Sequence, residues 1–157
     1  MNKIFKKSFL LVFTLVLAAN VILFSQSAYA ADSIKKAPRT VGTHTFVNDK
    51  YIQTSTGPIY VKMTTVYKVS KTNGPVYVDK VTLLIQNSSR QTPYSKAFYI
   101  DKRNSDSTSR YSNIMIAPKT SKSFSWDANT SDAQSVNLHL VTDLAFQGRT
   151  DFVTGFY

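Results

Sequence analysis

Alternation of apolar and polar residues with a period of two dominates the stretch 59–86. Its first half reads IYVKMTTVYKV, its second half reads VYVDKVTLLIQ, and the segment SKTNGP separates the two. A period of two places successive side chains on opposite faces of a strand, so the pattern predicts a long hairpin with one buried face. Asn73 and Gly74 tolerate positive φ in the turn, and Pro75 fixes its exit.

Shorter runs with the same period predict further strands. Residues 42–47 and 51–54 are predicted as short strands around a turn at Asn48-Asp49. Later strands are predicted over 94–100, 111–117, 120–126, 135–146 and 151–157, and loops over 87–93, 101–110 and 127–134. The faces predicted to point inward carry Tyr94, Phe98, Ile100, Phe124, Trp126, Val136, Leu138, Leu140, Thr142, Leu144 and Phe146.

The number and spacing of these strands predict the fold class. We find no helical periodicity after the first 30 residues, and seven to nine strands recur with turn signals between them. An all-β, single-domain antiparallel sandwich of the immunoglobulin-like type, with Trp126 in its core, fits this pattern. A small closed β-barrel is the alternative.

The first 30 residues are predicted to be a secretory signal peptide. Three lysines precede an apolar run over 9–24, and Ala28 and Ala30 stand at the small-residue positions of a cleavage site. Residues 31–41 are polar, basic and interrupted by Pro38, so we expect a flexible basic leader there. The sandwich domain then covers 42–157. No second apolar segment follows, so the expected location is extracellular, with no stable membrane anchor and with possible cell-wall association.

Composition narrows the function classes. The 157-residue chain has no Cys and a net charge of +10, and removal of the three signal-peptide lysines leaves +7. A secreted protein without disulfides is typical of Gram-positive bacteria, so we expect a bacterial source. A basic extracellular protein attracts polyanions, and the expected partner is an anionic cell-wall polymer or acidic polysaccharide rather than nucleic acid. A protein partner is a further possibility.

Motifs for catalysis are missing, so the sequence predicts a protein without enzymatic activity. All nine acidic residues are Asp, and the Asp pairs 101/106 and 127/132 sit in polar loops where Asp commonly supports turns. The two histidines are His44 and His139. His139 and Asp143 share a predicted strand face, but four strand residues span about 13 Å, which is too far for a hydrogen bond. No catalytic residue is assigned.

Metal and cofactor sites are likewise not predicted. The segment 127–132, DANTSD, resembles the opening of a calcium loop, but its sixth position is Asp132 instead of Gly, and the twelfth is Leu138 instead of Glu. Two isolated histidines do not form a zinc site.

Basic residues close to aromatic residues are the feature of the sequence that indicates a binding site. If Met63 pairs with Leu83, Lys80 lies opposite Val66 and diagonal to Lys68. One face of the hairpin then presents Tyr60, Lys62, Lys68 and Lys80. A second group contains Lys102, Arg103 and Arg110, flanked by Tyr94, Tyr99 and Tyr111. These seven basic and aromatic residues, Tyr60, Lys62, Lys68, Lys80, Lys102, Arg103 and Arg110, are the predicted ligand-binding residues.

The function predicted from these observations is non-enzymatic association with the bacterial cell envelope or extracellular matrix through a basic face. A cationic antibacterial or membrane-active β-protein is one alternative. A secreted inhibitor or protein-interaction module, acting through the loop 101–110, is the other.

Overall fold

The alternating stretches fold into β-strands in the computed structural model, which describes residues 32–103, 107–110, 114–143 and 148–157. In chain order the strands are β1 (Ser33–Lys36), β2 (Gly42–Thr54), β3 (Gly57–Val69), β4 (Val76–Asn87), β5 (Tyr94–Lys102), β6 (Ser107–Ser109), β7 (Ile114–Met115), β8 (Thr120–Thr130), β9 (Ala133–Asp143) and β10 (Gly148–Gly155). None of the described residues is helical, so the all-β prediction is confirmed. The predicted signal peptide lies outside the described residues.

The strands form two sheets. Sheet A has the order β1-β10-β9-β5-β6, with β7 also paired to β5, and sheet B has the order β2-β3-β4-β8. Every pairing is antiparallel except that of β1 with β10. The described strands therefore form two open sheets and not one closed barrel. The chain passes between the sheets after β1, β4, β7 and β8.

Apolar side chains from both sheets meet in one buried cluster, as a β-sandwich requires. Trp126 on β8 is 6% exposed, and its indole meets the Phe98 ring of β5 edge-on with ring centroids 5.7 Å apart. This contact joins sheet B to sheet A. The predicted burial of Trp126 is confirmed.

The central hairpin has, over most of its length, the register that was assumed in the sequence analysis. Met63 lies opposite Leu83, and Val66 lies opposite Lys80. Beyond Val66 the register shifts by one residue, because Asp79 forms a β-bulge in β4. The shift places an aspartate among the lysines of this face, which an unbroken register would not do.

The turn of this hairpin has the backbone conformation expected for Asn73 and Gly74. Asn73 has a φ of 57°, in the left-handed region that Asn tolerates better than most residues. Gly74 follows it, and a Cβ there would lie 2.6 Å from the carbonyl oxygen of Lys71. A larger residue at position 74 would therefore clash with the backbone.

The basic leader predicted to be flexible contains a strand, which corrects that prediction. Ser33–Lys36 pairs in parallel with β10. Asn48 of β2 is buried, and its Nδ2 donates to the carbonyl oxygens of Ser33 (2.9 Å) and Val153 (3.0 Å). The hydroxyl of Ser33 donates to Asn48 Oδ1 at 2.6 Å. One buried amide thus ties β1, β2 and β10 together.

The turn predicted at Asn48-Asp49 is also wrong. Residues 42–54 form the single strand β2, paired with β3 along its whole length. Asn is common in turns because its side chain bonds to nearby backbone. Here the side chain of Asn48 bonds instead to backbone that is distant in sequence.

Several loops are shorter than predicted. The segment 127–134 is the end of β8, a tight turn and the start of β9, so the calcium-loop resemblance falls on a hairpin. The polar stretch 101–110 contains β6, paired with β5. A bulge at Lys96 turns Tyr94 away from the inward face, and Ser95 is buried instead. Residues 111–113 and 144–147 of two predicted strands lie outside the described residues.

Candidate functional site

The predicted lysines of the hairpin do share one outward face of sheet B. We call the set Tyr60, Lys62, Lys68 and Lys80 the hairpin face. Lys62 and Lys68 alternate with buried residues on β3, and Lys80 lies opposite Val66 on β4. Because side chains alternate between the two faces of each strand, the spacing of these residues is sufficient to place them on the same face of the sheet.

Two of these lysines have carboxylate partners that the sequence did not indicate. Lys68 Nζ lies 2.9 Å from Asp79 of the bulge, and Lys80 Nζ lies 3.8 Å from Asp127 on β8. The hydrogen bond to Asp79 raises the pKa of Lys68 above its ordinary value. The positive charge of this part of the face is therefore largely cancelled by neighbouring aspartates.

The other end of the hairpin face is organised around Asp49 of β2. Its carboxylate accepts from Tyr60 Oη at 3.1 Å and from Lys35 Nζ, also at 3.1 Å, and Lys62 lies directly opposite it in the register. The hydrogen bond from Lys35 is the largest cause that lowers the pKa of Asp49. Beside this group the rings of Tyr51 and Tyr60 lie 4.7 Å apart.

The second predicted group does not converge on one point. Arg110 follows β6, and its backbone nitrogen donates to the carbonyl of Phe98, four strand residues or about 13 Å from Lys102. Lys102 and Arg103 lie at the far end of β5, where Lys102 pairs with Ala133. Tyr111 lies outside the described residues.

Arg103 instead lines a cleft at one end of the sandwich. The cleft has a volume of about 170 Å³ and is formed by four chain segments and the end of β5. Its lining is Arg39, Pro75, Val76, Arg103, Asp132, Ala133, Gln134, Phe156 and Tyr157. We call it the end cleft. Two guanidinium groups and an apolar floor are its main chemical features.

Arg39 is the residue that the sequence prediction missed, because it lies in the segment expected to be flexible. Its Nη2 donates to the carbonyl oxygens of Asn73 (2.5 Å) and Gly74 (2.6 Å). Its Nε is buried and has no hydrogen-bond partner among the described residues. A buried nitrogen without an acceptor costs free energy.

The net charge at the end cleft is positive. Arg103 has one weak ion pair, with its Nε 3.8 Å from Asp132, and no carboxylate pairs with Arg39 among the described residues. Lys36 adds a further charge at the rim, with its Nζ 4.9 Å from the centre of the Tyr157 ring. The cleft and its neighbourhood therefore carry more cationic than anionic side chains.

A second polar cluster lies on the outer face of sheet A, and it involves one of the two histidines. His139 Nδ1 lies 2.6 Å from Asp151 Oδ1, and Tyr99 Oη lies 2.9 Å from His139 Nε2. Arg149 donates to both oxygens of Asp151, at 2.6 and 2.7 Å. Arg149 Nη2 also lies 2.8 Å from His139 Nδ1, so a carboxylate that only accepts hydrogen bonds and a guanidinium that only donates them meet at this nitrogen.

The order Tyr99, His139, Asp151 resembles a nucleophile, base and orienting carboxylate. Burial, followed by the charges of Asp101 and Asp151, raises the pKa of Tyr99. The phenol therefore stays protonated at neutral pH and is a poor nucleophile. The sequence missed this cluster because Asp151 meets His139 through the pairing of β10 with β9, whereas Asp143 was the acid considered.

The carboxyl of Asp151 should make stability depend on pH. Burial raises its pKa, but the hydrogen bonds from Arg149 and His139 outweigh burial, so the pKa lies below its ordinary value of 3.8. A carboxyl whose pKa is lowered by folding stabilises the folded protein at pH values above its ordinary pKa. This stabilisation is lost as the pH falls through the pKa of the folded state. We expect the difference in the free energy of unfolding between the wild type and Asp151→Asn to shrink below pH 3.8.

Urea unfolding of both proteins in a pH series checks this expectation. Asp127→Asn is the matched control, because the Asp127 side chain is 79% exposed. If the difference in the free energy of unfolding between the wild type and Asp151→Asn stayed constant with pH, the lowered pKa of Asp151 would be contradicted.

The other histidine does not join this cluster. His44 Nε2 lies 2.7 Å from the Thr40 carbonyl oxygen, and its ring stacks on Tyr67 in sheet B, with centroids 5.2 Å apart. Within the described ranges, no three His, Cys, Asp or Glu side chains are grouped closely enough to hold a metal ion.

Comparisons with known proteins add little to this geometry. Among the described residues, no helix is long and apolar enough to cross a membrane. No known protein family matches the chain, and no curated protein matches it. One similar solved structure is the X-ray structure of Northeast Structural Genomics Consortium target SoR45, 13% identical, covering 71% of this chain and 81% of that chain with a TM-score of 0.28. A TM-score this low supports no inference about this chain.

Proposed function

We propose that this protein is a secreted, non-enzymatic β-sandwich that binds an anionic polymer of the bacterial cell envelope or matrix through the end cleft. The observation that carries the proposal is that Arg39 and Arg103 both line one cleft, whereas Asp132 is the one acidic residue among the described residues of the lining. Arginine forks match the geometry of phosphate and carboxylate groups.

The size of the end cleft defines what it accepts. A volume of about 170 Å³ holds one phosphate or carboxylate group with a few adjoining carbons. The floor contains Val76 and Phe156, which would contact those carbons. The ligand is therefore one charged unit, or the end, of a polymer such as teichoic acid or an acidic polysaccharide.

The charge distribution along the chain supports attraction to such a polymer. Residues 31–110 carry +8, and residues 111–157 carry −1. Long-range attraction brings the polymer to the protein, and the guanidinium groups then fix one unit in place. Export by the predicted signal peptide would deliver the protein to the compartment where these polymers occur.

The proposed fold type is immunoglobulin-like. The chain passes from β4 in sheet B to β5 in sheet A, and later from β8 in sheet B to β9 and β10 in sheet A. In the sheets, β4 lies beside β8, and β5, β9 and β10 are adjacent. This connectivity matches the Greek-key order of such sandwiches. Immunoglobulin domains carry their core Trp on the strand that corresponds here to β5. Trp126 lies instead on β8, and its indole contacts Phe98 of β5.

Sedimentation of the purified protein with cell walls, before and after removal of their anionic polymers, tests the proposal. We expect Arg103→Gln to weaken binding about tenfold, because a charge-assisted hydrogen bond contributes about 1.5–3 kcal/mol. Arg39→Gln should weaken binding similarly, and Arg39→Lys should restore only part of it. Binding should fade with salt, since the Debye length falls from about 10 Å at 0.1 M to about 3 Å at 1 M.

Two further variants make the assignment specific. Arg90→Gln removes the same charge from an exposed loop and should change binding little. The triple change of Lys62, Lys68 and Lys80 to Gln should weaken binding less than Arg103→Gln, because two of these lysines already have aspartate partners. Equal binding to stripped walls, or unchanged binding by Arg103→Gln, would exclude the end cleft.

A further inference from the structure

The outward face of sheet B carries an ordered array of hydroxyl groups. In the register, one row across the sheet contains Val47, Thr64, Thr82 and Ser125. Members of a row are about 4.8 Å apart, and the neighbouring rows on this face lie two residues, or about 7 Å, further along the strands. These rows contain further polar positions together with the apolar Val66 and Leu84. The hydroxyl-bearing residues of this face, apart from tyrosines, are Thr43, Thr45, Thr64, Thr82, Ser121, Ser123 and Ser125.

Two tyrosine rings stand beside this array. Tyr51 of β2 is 62% exposed, and its ring lies 4.7 Å from that of Tyr60. Tyr60 is held in place by the hydrogen bond from its hydroxyl to Asp49. The exposed Tyr51 ring is not needed for the core, and it offers a fixed aromatic surface at the edge of the sheet.

The charges on this face nearly cancel. Lys68 and Lys80 lie within 4 Å of Asp79 and Asp127, and Asp49 pairs with Lys35 of β1. Together with Lys62, these residues are four lysines and three aspartates, which leave a net charge of +1. A face that is polar, hydroxyl-rich and close to neutral has no electrostatic preference for a polyanion. It matches instead a neutral ligand whose polar groups are also hydroxyls.

We propose that the outward face of sheet B is a second binding surface, for a neutral polysaccharide chain lying along the strands. Sugar rings have an apolar C–H face, which would pack on Tyr51 and Tyr60, and a rim of hydroxyls, which would exchange hydrogen bonds with the Thr and Ser rows. The strands of sheet B are 11–13 residues long, so the face is long enough for several sugar units.

This surface is separate from the end cleft. The β3–β4 turn that contributes Pro75 to the cleft follows Val69, nine strand residues or about 30 Å from Tyr60. A neutral chain gives the guanidinium groups no ionic partner. The two proposals can therefore fail independently.

Native affinity electrophoresis in gels containing hydroxyethyl cellulose, a soluble β-glucan or glycol chitin tests the second surface. We expect at least one polymer to retard the protein. Tyr51→Ala should weaken that binding about tenfold, in the range of an aromatic hot spot, and Tyr51→Phe should retain it. The joint change of Thr64 and Thr82 to Val should weaken it as well.

The matched control is Met115→Ala, which truncates a side chain 57% exposed on sheet A and should leave retardation unchanged. Retardation should persist as salt rises from about 0.1 M to about 1 M, because it does not rest on charge. No retardation by any of the three polymers, or equal retardation of Tyr51→Ala, would overturn the proposal. Sedimentation velocity showing a dimer that Tyr51→Ala dissociates would assign the face to a second copy of the chain and also overturn it.

Discussion

Replacing Trp126 by Ala should lower the free energy of unfolding by about 3–5 kcal/mol, the usual cost of truncating a buried large aromatic residue. The indole is 6% exposed and packs against Phe98 of the opposite sheet. On its own sheet, Trp126 lies opposite Val81 of β4. Its removal leaves a cavity between the two layers, which the paired strands cannot close without breaking their ladders.

Urea unfolding followed by far-UV circular dichroism measures this loss. Trp126→Phe should cost clearly less, since it keeps an aromatic ring beside Phe98. Tyr51→Ala is the matched surface truncation and should change stability by less than about 0.5 kcal/mol. A Trp126→Ala protein as stable as the Tyr51→Ala protein would place the indole outside the core.

Replacing Asn87 by Ala should have a comparable effect, a loss of about 3 kcal/mol or more. Asn87 is 2% exposed, and its Nδ2 donates to the carbonyl oxygens of Gln91, Ile116 and Ala117. Its Oδ1 accepts from both the backbone nitrogen and the hydroxyl of Ser89. Truncation would leave several buried groups without partners, each costing about 1–3 kcal/mol.

The neighbour Gln86 provides the control for this experiment. Gln86 is on the same strand but points outward, so Gln86→Ala should change stability by less than about 0.5 kcal/mol. Amide hydrogen exchange would locate the damage, which we expect in residues 87–91 and 114–117. Similar stabilities of the two variants would show that the Asn87 hydrogen bonds contribute little.

The end cleft and the His139 cluster show how far a site can be predicted from the sequence. The lysines of the hairpin face were found, because alternation along two adjacent strands is local information. The carboxylates that cancel their charge were not, because Asp79 reaches Lys68 through a bulge and Asp127 reaches Lys80 from β8. Arg39 and Arg103 are 64 residues apart in the sequence, and no local pattern links them.

The sequence by itself determined the strand character of the chain and the burial of Trp126. Each follows from the period-two pattern along single strands, because every second side chain of such a strand is buried in the core. Only the tertiary structure decided that the leader joins sheet A as β1, that Asn48 is buried rather than in a turn, and that Asp151 meets His139. The physical reason is that a polar group forms hydrogen bonds with whichever groups lie next to it in space. Strand order determines those neighbours, and it brings together residues that are far apart in the sequence.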